Sequence, residues 1–466
     1  MIAHLNGAPA TAARTLLLAL FVLLLAACGA AEGEGEAVSA PVEEPAIAKD
    51  DDVDADIVAG AEELDVGEEV ADEEPLVEEE ADVVEEETPA SDAAAADEDA
   101  RFTPSGKRIL TEDTRSRGLK RLTDSWNTNW HLHTIDYDEL LAGGPPRDGI
   151  PSIDDPQFIP IVEALEWLAP NEPVIALEID GDARAYPLQI MTWHEIVNDT
   201  VGDVPVVVTF CPLCNSALTF DRRIEGEVYE FGTSGLLRHS DLVMYDRTTE
   251  SLWQQFTGEA IVGTLVGEQL DFIASSIVSF EDFREAFPDG VVLSRDTGFS
   301  RSYGENPYVG YDRADQNPFL FRGPLDERLP AMARVVTVST EEGDAAYPYS
   351  VLEEALVVHD QIGDQALVVF WSAGTSSALD ARVIAEGADV GATGVFAPFV
   401  DGEQLTFSVE DGTVVDDQTG SIWNILGQAT EGPLAGEQLA AIPHGDHFWF
   451  SWAAFRPETK IFQPDA

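Results

Sequence analysis

Apolar and polar positions in the second two-thirds of the chain alternate in short runs, the period of half-buried strands. Pro173 to Ile179 (PVIALEI) alternates in this way. Asp180-Gly181-Asp182 then supplies a hairpin signal, and Ala183 to Tyr186 continues as the return strand. Leu188, Met191 and Ile196 stand at helical spacing and predict one short helix over Pro187 to Asn198. Val204 to Phe210 (VPVVVTF) reads as a buried strand, and Val228 to Phe231 and Leu242 to Tyr245 as further strands. Phe280 to Phe287 reads as a helix. Together these signals predict an α+β, sheet-dominated fold.

The pattern also recurs. Asp182 to Pro187 (DARAYP) matches Gly343 to Pro348 (GDAAYP), and Ser216-Ala217-Leu218 matches Ser377-Ala378-Leu379. Thr249 to Trp253 (TESLW) matches Thr419 to Trp423 (TGSIW), and Gly-Glu-Gln-Leu ends both Gly258 to Leu270 and Gly427 to Leu439. Ordered matches of this kind predict two tandem pseudo-repeats of one domain, at 172–296 and 334–466. Tyr186 should lie over Tyr347 and Trp253 over Trp423. A lead-in at 106–171 should pack on the first repeat, and 297–333 is a connector.

The N-terminus reads as an address. Arg14 precedes an unbroken apolar run from Leu16 to Ala27, which closes in Leu25-Ala26-Ala27-Cys28-Gly29. So short a run predicts a cleaved signal peptide at 1–27 rather than a membrane span. The Leu-Ala-Ala-Cys string resembles the lipobox of bacterial lipoproteins, which implies lipidation of Cys28. The expected location is therefore the cell envelope, outside the cytoplasm and anchored to the membrane by lipid. Residues 28–105 are acidic and almost free of aromatics, and read as a disordered tether.

Charge narrows the partners. The chain carries 88 acidic residues against 25 Lys and Arg, a net charge of −63. Residues 101–466 alone hold 59 acidic and 23 basic residues. Nucleic acid and anionic headgroups would be repelled. Such an excess suits a highly soluble surface or adaptation to salt, which screens the self-repulsion. No protein partner is indicated.

Chemistry concentrates at one place. Beyond Cys28 the chain has two cysteines, in Cys211-Pro-Leu-Cys214 directly after a predicted buried strand, with His194 on the helix before it. Aligned on the repeat, Cys211 faces Trp371, Cys214 faces Gly374 and His194 faces Ala355, so the reactive residues are absent together from the second copy. Two thiols and an imidazole suit copper or zinc, with Met244 the expected fourth ligand over His239. The same pair suits thiol–disulfide exchange. It also suits a structural disulfide in a non-enzymatic binding module, because the compartment is oxidising. His239 reads as a solvated loop residue, His131 and His133 as surface, and His444 and His447 as core beside FWFSW. Asp246-Arg247 reads as an ion pair or a turn. No phosphate-binding glycine loop, Ser–His–acid signature or paired-carboxylate motif assigns an enzymatic reaction.

GGPPRDGIPSIDDPQFI, ALEIDGDARAYPLQIMTWHEIVND, VTFCPLCNSALTFDR and SDLVMYDRTTESLWQQFTGEAIVG closely resemble the bacterial and archaeal family known as domain of unknown function 3179. The resemblance covers about 140–465. It implies a secreted or lipid-anchored protein and carries no activity. Its motif positions here are His194, Glu195, Asn198, Asp199, Cys211, Cys214, Ser234, Met244, Asp246, Arg247 and Trp253. Among these, Glu195, Asn198, Ser234, Asp246 and Arg247 are candidate supports for a metal held by His194, Cys211, Cys214 and Met244.

Overall fold

The computed structural model describes residues 101–464. The expected signal peptide, Cys28 and the tether up to residue 100 lie outside the described residues. Strand makes up 40% of the structure and helix 12%, so the fold is α+β with sheet dominant. Regular pairing begins at Arg101–Phe102, which joins Arg108–Ile109, a few residues before the tether boundary expected from composition.

The lead-in supplies β1 (Leu140–Ala142) and β2 (Phe158–Pro160). A hairpin follows, β3 (Pro173–Ile179) and β4 (Asp182–Pro187). Its turn residues Asp180 and Gly181 have φ of 52° and 87°, the left-handed pair that a two-residue hairpin loop requires. Next come α1 (Leu188–His194), β5 (Ile196–Val201), β6 (Val204–Cys211) and β7 (Ser216–Asp221). The helix is shorter than its apolar spacing predicted. Glu195 turns left-handed at φ 59° and ends it, and Ile196, counted as a helical position, begins a strand. A second meander comprises β8 (Phe231–Arg238), β9 (Asp241–Asp246), β10 (Leu252–Gln254) and β11 (Glu259–Val262). β12 (Asp271–Ile273), β13 (Ser276–Ser279), α2 (Phe280–Ala286) and β14 (Val291–Leu293) close the half.

The rest of the chain starts with β15 (Arg334–Thr340), β16 (Gly343–Pro348), α3 (Tyr349–Ala355), β17 (Val357–Ile362), β18 (Gln365–Ser372) and β19 (Ala392–Ala397). It continues with β20 (Phe407–Glu410), β21 (Thr413–Asp416), β22 (Ile422–Trp423), β23 (Ala429–Glu431) and β24 (Ala440–Ala441). It ends with β25 (Gly445–Phe448), α4 (Trp449–Phe455) and β26 (Lys460–Ile461).

Three sheets in the first half have the strand orders β13-β3-β4-β14-β2, β12-β7-β6-β5 and β11-β10-β9-β8-β1. Three in the second half have the orders β25-β15-β16-β26, β24-β19-β18-β17 and β23-β22-β21-β20. The lead-in strands β1 and β2 therefore occupy edges of first-half sheets. In each half one pair is parallel, β4 with β14 and β16 with β26.

The register revises the sequence alignment. Thr209 pairs with Ile196 and Leu218, whereas Phe370 pairs with Val357 and Gly394. Counting from these pairs, Ser372 rather than Trp371 stands where Cys211 does. Ser377-Ala378-Leu379 is not in β19 at all but in the loop 373–391. That loop binds the connector, through Asn306 N to Arg382 O at 2.8 Å and Gly310 N to Asp380 O at 2.7 Å. The halves also share their cores. One core cluster joins Phe210, Cys211, Cys214, Met244 and Trp253 to Leu379, Ile384, Phe448 and Phe450. Another joins Val174, Val278 and Phe280 to Val368, Phe370 and Trp423.

Candidate metal centre

β6 is buried from Val206 onward and runs into a single 3-10 turn, Pro212–Cys214. Proline suits this position, since its fixed φ starts the turn and no amide is wasted. Asn215 then takes φ 51°, which sends the chain back as β7 with Cys211 opposite Ser216. Both thiols are held inside, Cys211 at 2% and Cys214 at 0% exposure, and both are free.

The third member comes from the β8–β9 hairpin. Its register jumps at Ser234-Gly235, from Thr233 opposite Met244 to Leu236 opposite Val243. Gly235 has φ 73°, and a Cβ there would meet the Pro145 carbonyl oxygen at 2.4 Å. Ser234 secures the bulge, donating to Val243 O and accepting from Leu236 N. Beyond it the ladder runs on to Arg238 opposite Asp241. The matching hairpin β20–β21 pairs Phe407 with Asp416 as β8–β9 pairs Phe231 with Asp246, but it stops at Glu410 opposite Thr413. Asp241 thus sits on an extension that only the first half has. The tip is strained, with His239 and Ser240 both left-handed at φ 53° and 68°.

The extension carries Asp241 to the thiols. The two sulfurs and a carboxylate oxygen of Asp241 lie within 4.8 Å of one another, and the cluster could hold a metal ion. Asp241 Oδ2 accepts from Gln254 Nε2 at 2.6 Å and from Phe256 N at 3.0 Å. Oδ1 is buried and has no partner. The Cys211 thiol donates to Ser240 O at 3.8 Å.

Burial sets the protonation. It pushes both thiols up, Cys214 further than Cys211, and pushes the Asp241 carboxyl up to about 7. Glu195 is pushed up to about 8, by burial first and then by the charge of Asp241. The largest influences on these four acids include no basic side chain. Burial therefore disfavours the charged form of all four groups, and a bound cation would favour it.

His194 does not join the cluster. Its Nδ1 faces Pro151 O at 2.7 Å and its Nε2 the Tyr303 hydroxyl at 2.6 Å. Burial lowers its pKa, so it is a neutral ring that donates from Nδ1 and accepts at Nε2. It holds the connector rather than a metal. Met244 is buried between Thr233 and Trp253 in the β8–β9–β10 ladder and shares a core cluster with both cysteines, and Asp241 is a third donor beside the thiols that the sequence did not single out.

Most of the expected supports serve the scaffold. Asn198 bridges Asp154 and Phe231, accepting from Phe231 N at 2.9 Å. Asp246 caps its own turn through Thr249 and Ser251 and accepts from Trp253 Nε1 at 3.1 Å. Arg247 pairs with Asp148 and Asp154. Ser234 builds the bulge. Of the five, only Glu195 stands beside the cluster. His239 lies 3.3 Å from Glu139, and His133 is buried rather than at the surface, bonded to Ile135 O and Glu112 O. Asp241 was not singled out from the sequence, although it is the second residue of the SDLVMYDR string. The available signal was the longer first-half hairpin, visible once the two halves are aligned by register.

These features define a class: a sheet-dominated α+β protein with a buried dithiol–carboxylate cluster. The chain belongs to the family described as protein of unknown function (DUF3179), whose model matches residues 147–459 and so includes every residue of that cluster. No curated protein and no solved structure matches the chain.

Proposed function

We propose that this protein binds a copper or zinc ion at Cys211, Cys214 and Asp241, as an extracytoplasmic lipoprotein tethered through Cys28. The observation that carries the metal reading is the unpartnered Oδ1 of Asp241, buried beside two thiols with no basic residue among the largest influences on them. A buried carboxylate oxygen without a donor is costly, and a cation bound by thiolates removes that cost. Thiolate donors select soft or borderline metals.

We further read the two halves as copies of one unit. Strand order supports this, and so do two repeated details. Tyr186 donates to Asp199 as Tyr347 donates to Asp360, and Trp253 donates to Asp246 as Trp423 donates to Asp416. On this reading the scaffold persists in both copies, while the donors and the hairpin extension belong to the first.

The test is elemental analysis of the full chain purified without oxygen, together with a free-thiol count. Wild type should carry one ion per chain, and Cys211→Ser and Asp241→Asn should carry almost none with unchanged circular dichroism. Metal-free protein with two reactive thiols would favour thiol exchange instead. Metal-free protein with no free thiols would favour a disulfide. Cys28→Ser should shift the protein from the membrane fraction to the soluble fraction, and its retention in membranes would refute the anchor.

A further inference from the structure

We propose that Glu195 is the fourth donor of this centre, and that the centre therefore takes a divalent borderline cation such as zinc rather than cuprous copper. The inference rests on the metal reading above and extends it to the identity of the ion.

Position comes first. Glu195 follows α1 and precedes β5, whose first residue Ile196 pairs with Thr209 of β6. The Glu195 carbonyl accepts from Phe210 N at 2.8 Å, one residue before Cys211. Its carboxyl is close enough to Asp241 to feel that charge and to act on Cys211 and Tyr308.

The backbone does not call for a carboxylate here. In the second half Leu356 occupies the same place with the same φ of 59° and ψ of −29°. Its carbonyl accepts from Trp371 N at 2.9 Å, the same bond. A hydrocarbon side chain thus serves this corner of the fold. Glu195 is only 8% exposed, and its carboxyl makes no hydrogen bond or ion pair within the protein. A nearly buried carboxyl without a protein partner, where leucine would do, is a stability cost without a structural return.

The donor count points the same way. Cys211, Cys214 and Asp241 leave a tetrahedral ion one ligand short. His194 has both ring nitrogens engaged. Glu195 is not one of the three clustered donors, but its charge acts on Cys211 and Asp241 acts on it, so it is the carboxylate a bound ion would draw in as the fourth. Two thiolates with two carboxylates form a mixed soft and hard set. Zinc accepts such a set, whereas cuprous copper prefers sulfur.

Cobalt(II) bound to the full chain reads each part separately. Thiolate-to-cobalt charge transfer in the near ultraviolet reports the cysteines, and visible d–d intensity reports four-coordination. Wild type should show both. Glu195→Leu, the residue found at the equivalent corner, should keep the charge transfer but lose d–d intensity and bind cobalt and zinc about tenfold or more weakly. Cuprous binding should be unchanged. Glu195→Gln, nearly the same shape, should behave alike and guards against misfolding in the leucine variant. A wild-type spectrum and affinity in both variants would overturn the role of Glu195 and leave the metal centre standing. Wild type that binds neither cobalt nor zinc would overturn the centre itself.

Discussion

His447 shows how burial decides the behaviour of one side chain. Its ring lies parallel to Trp452, centroids 5.7 Å apart, and 4.3 Å from Phe256. It is 2% exposed, and Nδ1 has no partner. Burial, helped by His444, lowers its pKa from 6.5 to about 3. Between these values the unfolded chain binds a proton that the folded chain does not. Stability is therefore lost as pH falls through that window, by about 1.4 kcal/mol per unit. His447→Phe keeps the stack and removes the titration. Chemical denaturation at pH 7 and pH 4 should show a smaller acid loss in the variant than in wild type. An equal loss would place the acid sensitivity elsewhere. The neighbouring FWFSW run predicted this core environment, because aromatics cluster in sequence here. For His194 no such local signal existed: its partners Pro151 and Tyr303 lie 43 and 109 residues away.

Among the elements, the β8–β9 hairpin matters most, since its length and bulge deliver Asp241. Gly235 is the hinge of that delivery. Gly235→Ala forces a Cβ toward the Pro145 carbonyl at a left-handed φ, and should destabilise the protein by about 1–3 kcal/mol. It should also lower metal uptake, because the hairpin tip must move. Gly412→Ala is the control. Gly412 has φ 83° in the second-half hairpin with nothing within 4 Å of a Cβ, so it should cost stability alone. Equal metal uptake in wild type and Gly235→Ala, by elemental analysis, would separate the bulge from the site. The β3–β4 hairpin was legible because the Asp-Gly turn chemistry is local. The end of α1 was not, because Glu195 has no helix-stopping side chain and turns left-handed only where β5 must pair with β6.

The whole molecule joins what was written locally. β13 lies against β19, and β25 against β7, so each half lends a strand to the sheet surface of the other. Charge is a property at this scale too. With 59 acidic and 23 basic residues in 101–466, buried cations for buried acids are scarce, and none is among the largest influences on the thiol–carboxylate cluster. The sequence by itself determined the sheet-dominated class, the family and the Cys211–Cys214 pair. Strand period, hairpin turns and motif strings are each encoded within a few neighbouring residues. Only the tertiary structure decided that Asp241 joins the thiols, that His194 binds the connector and that Ser372 rather than Trp371 holds the register position of Cys211. Those outcomes depend on a bulge, a register and a strand crossing between halves, and a side chain's direction there is set by contacts far along the chain.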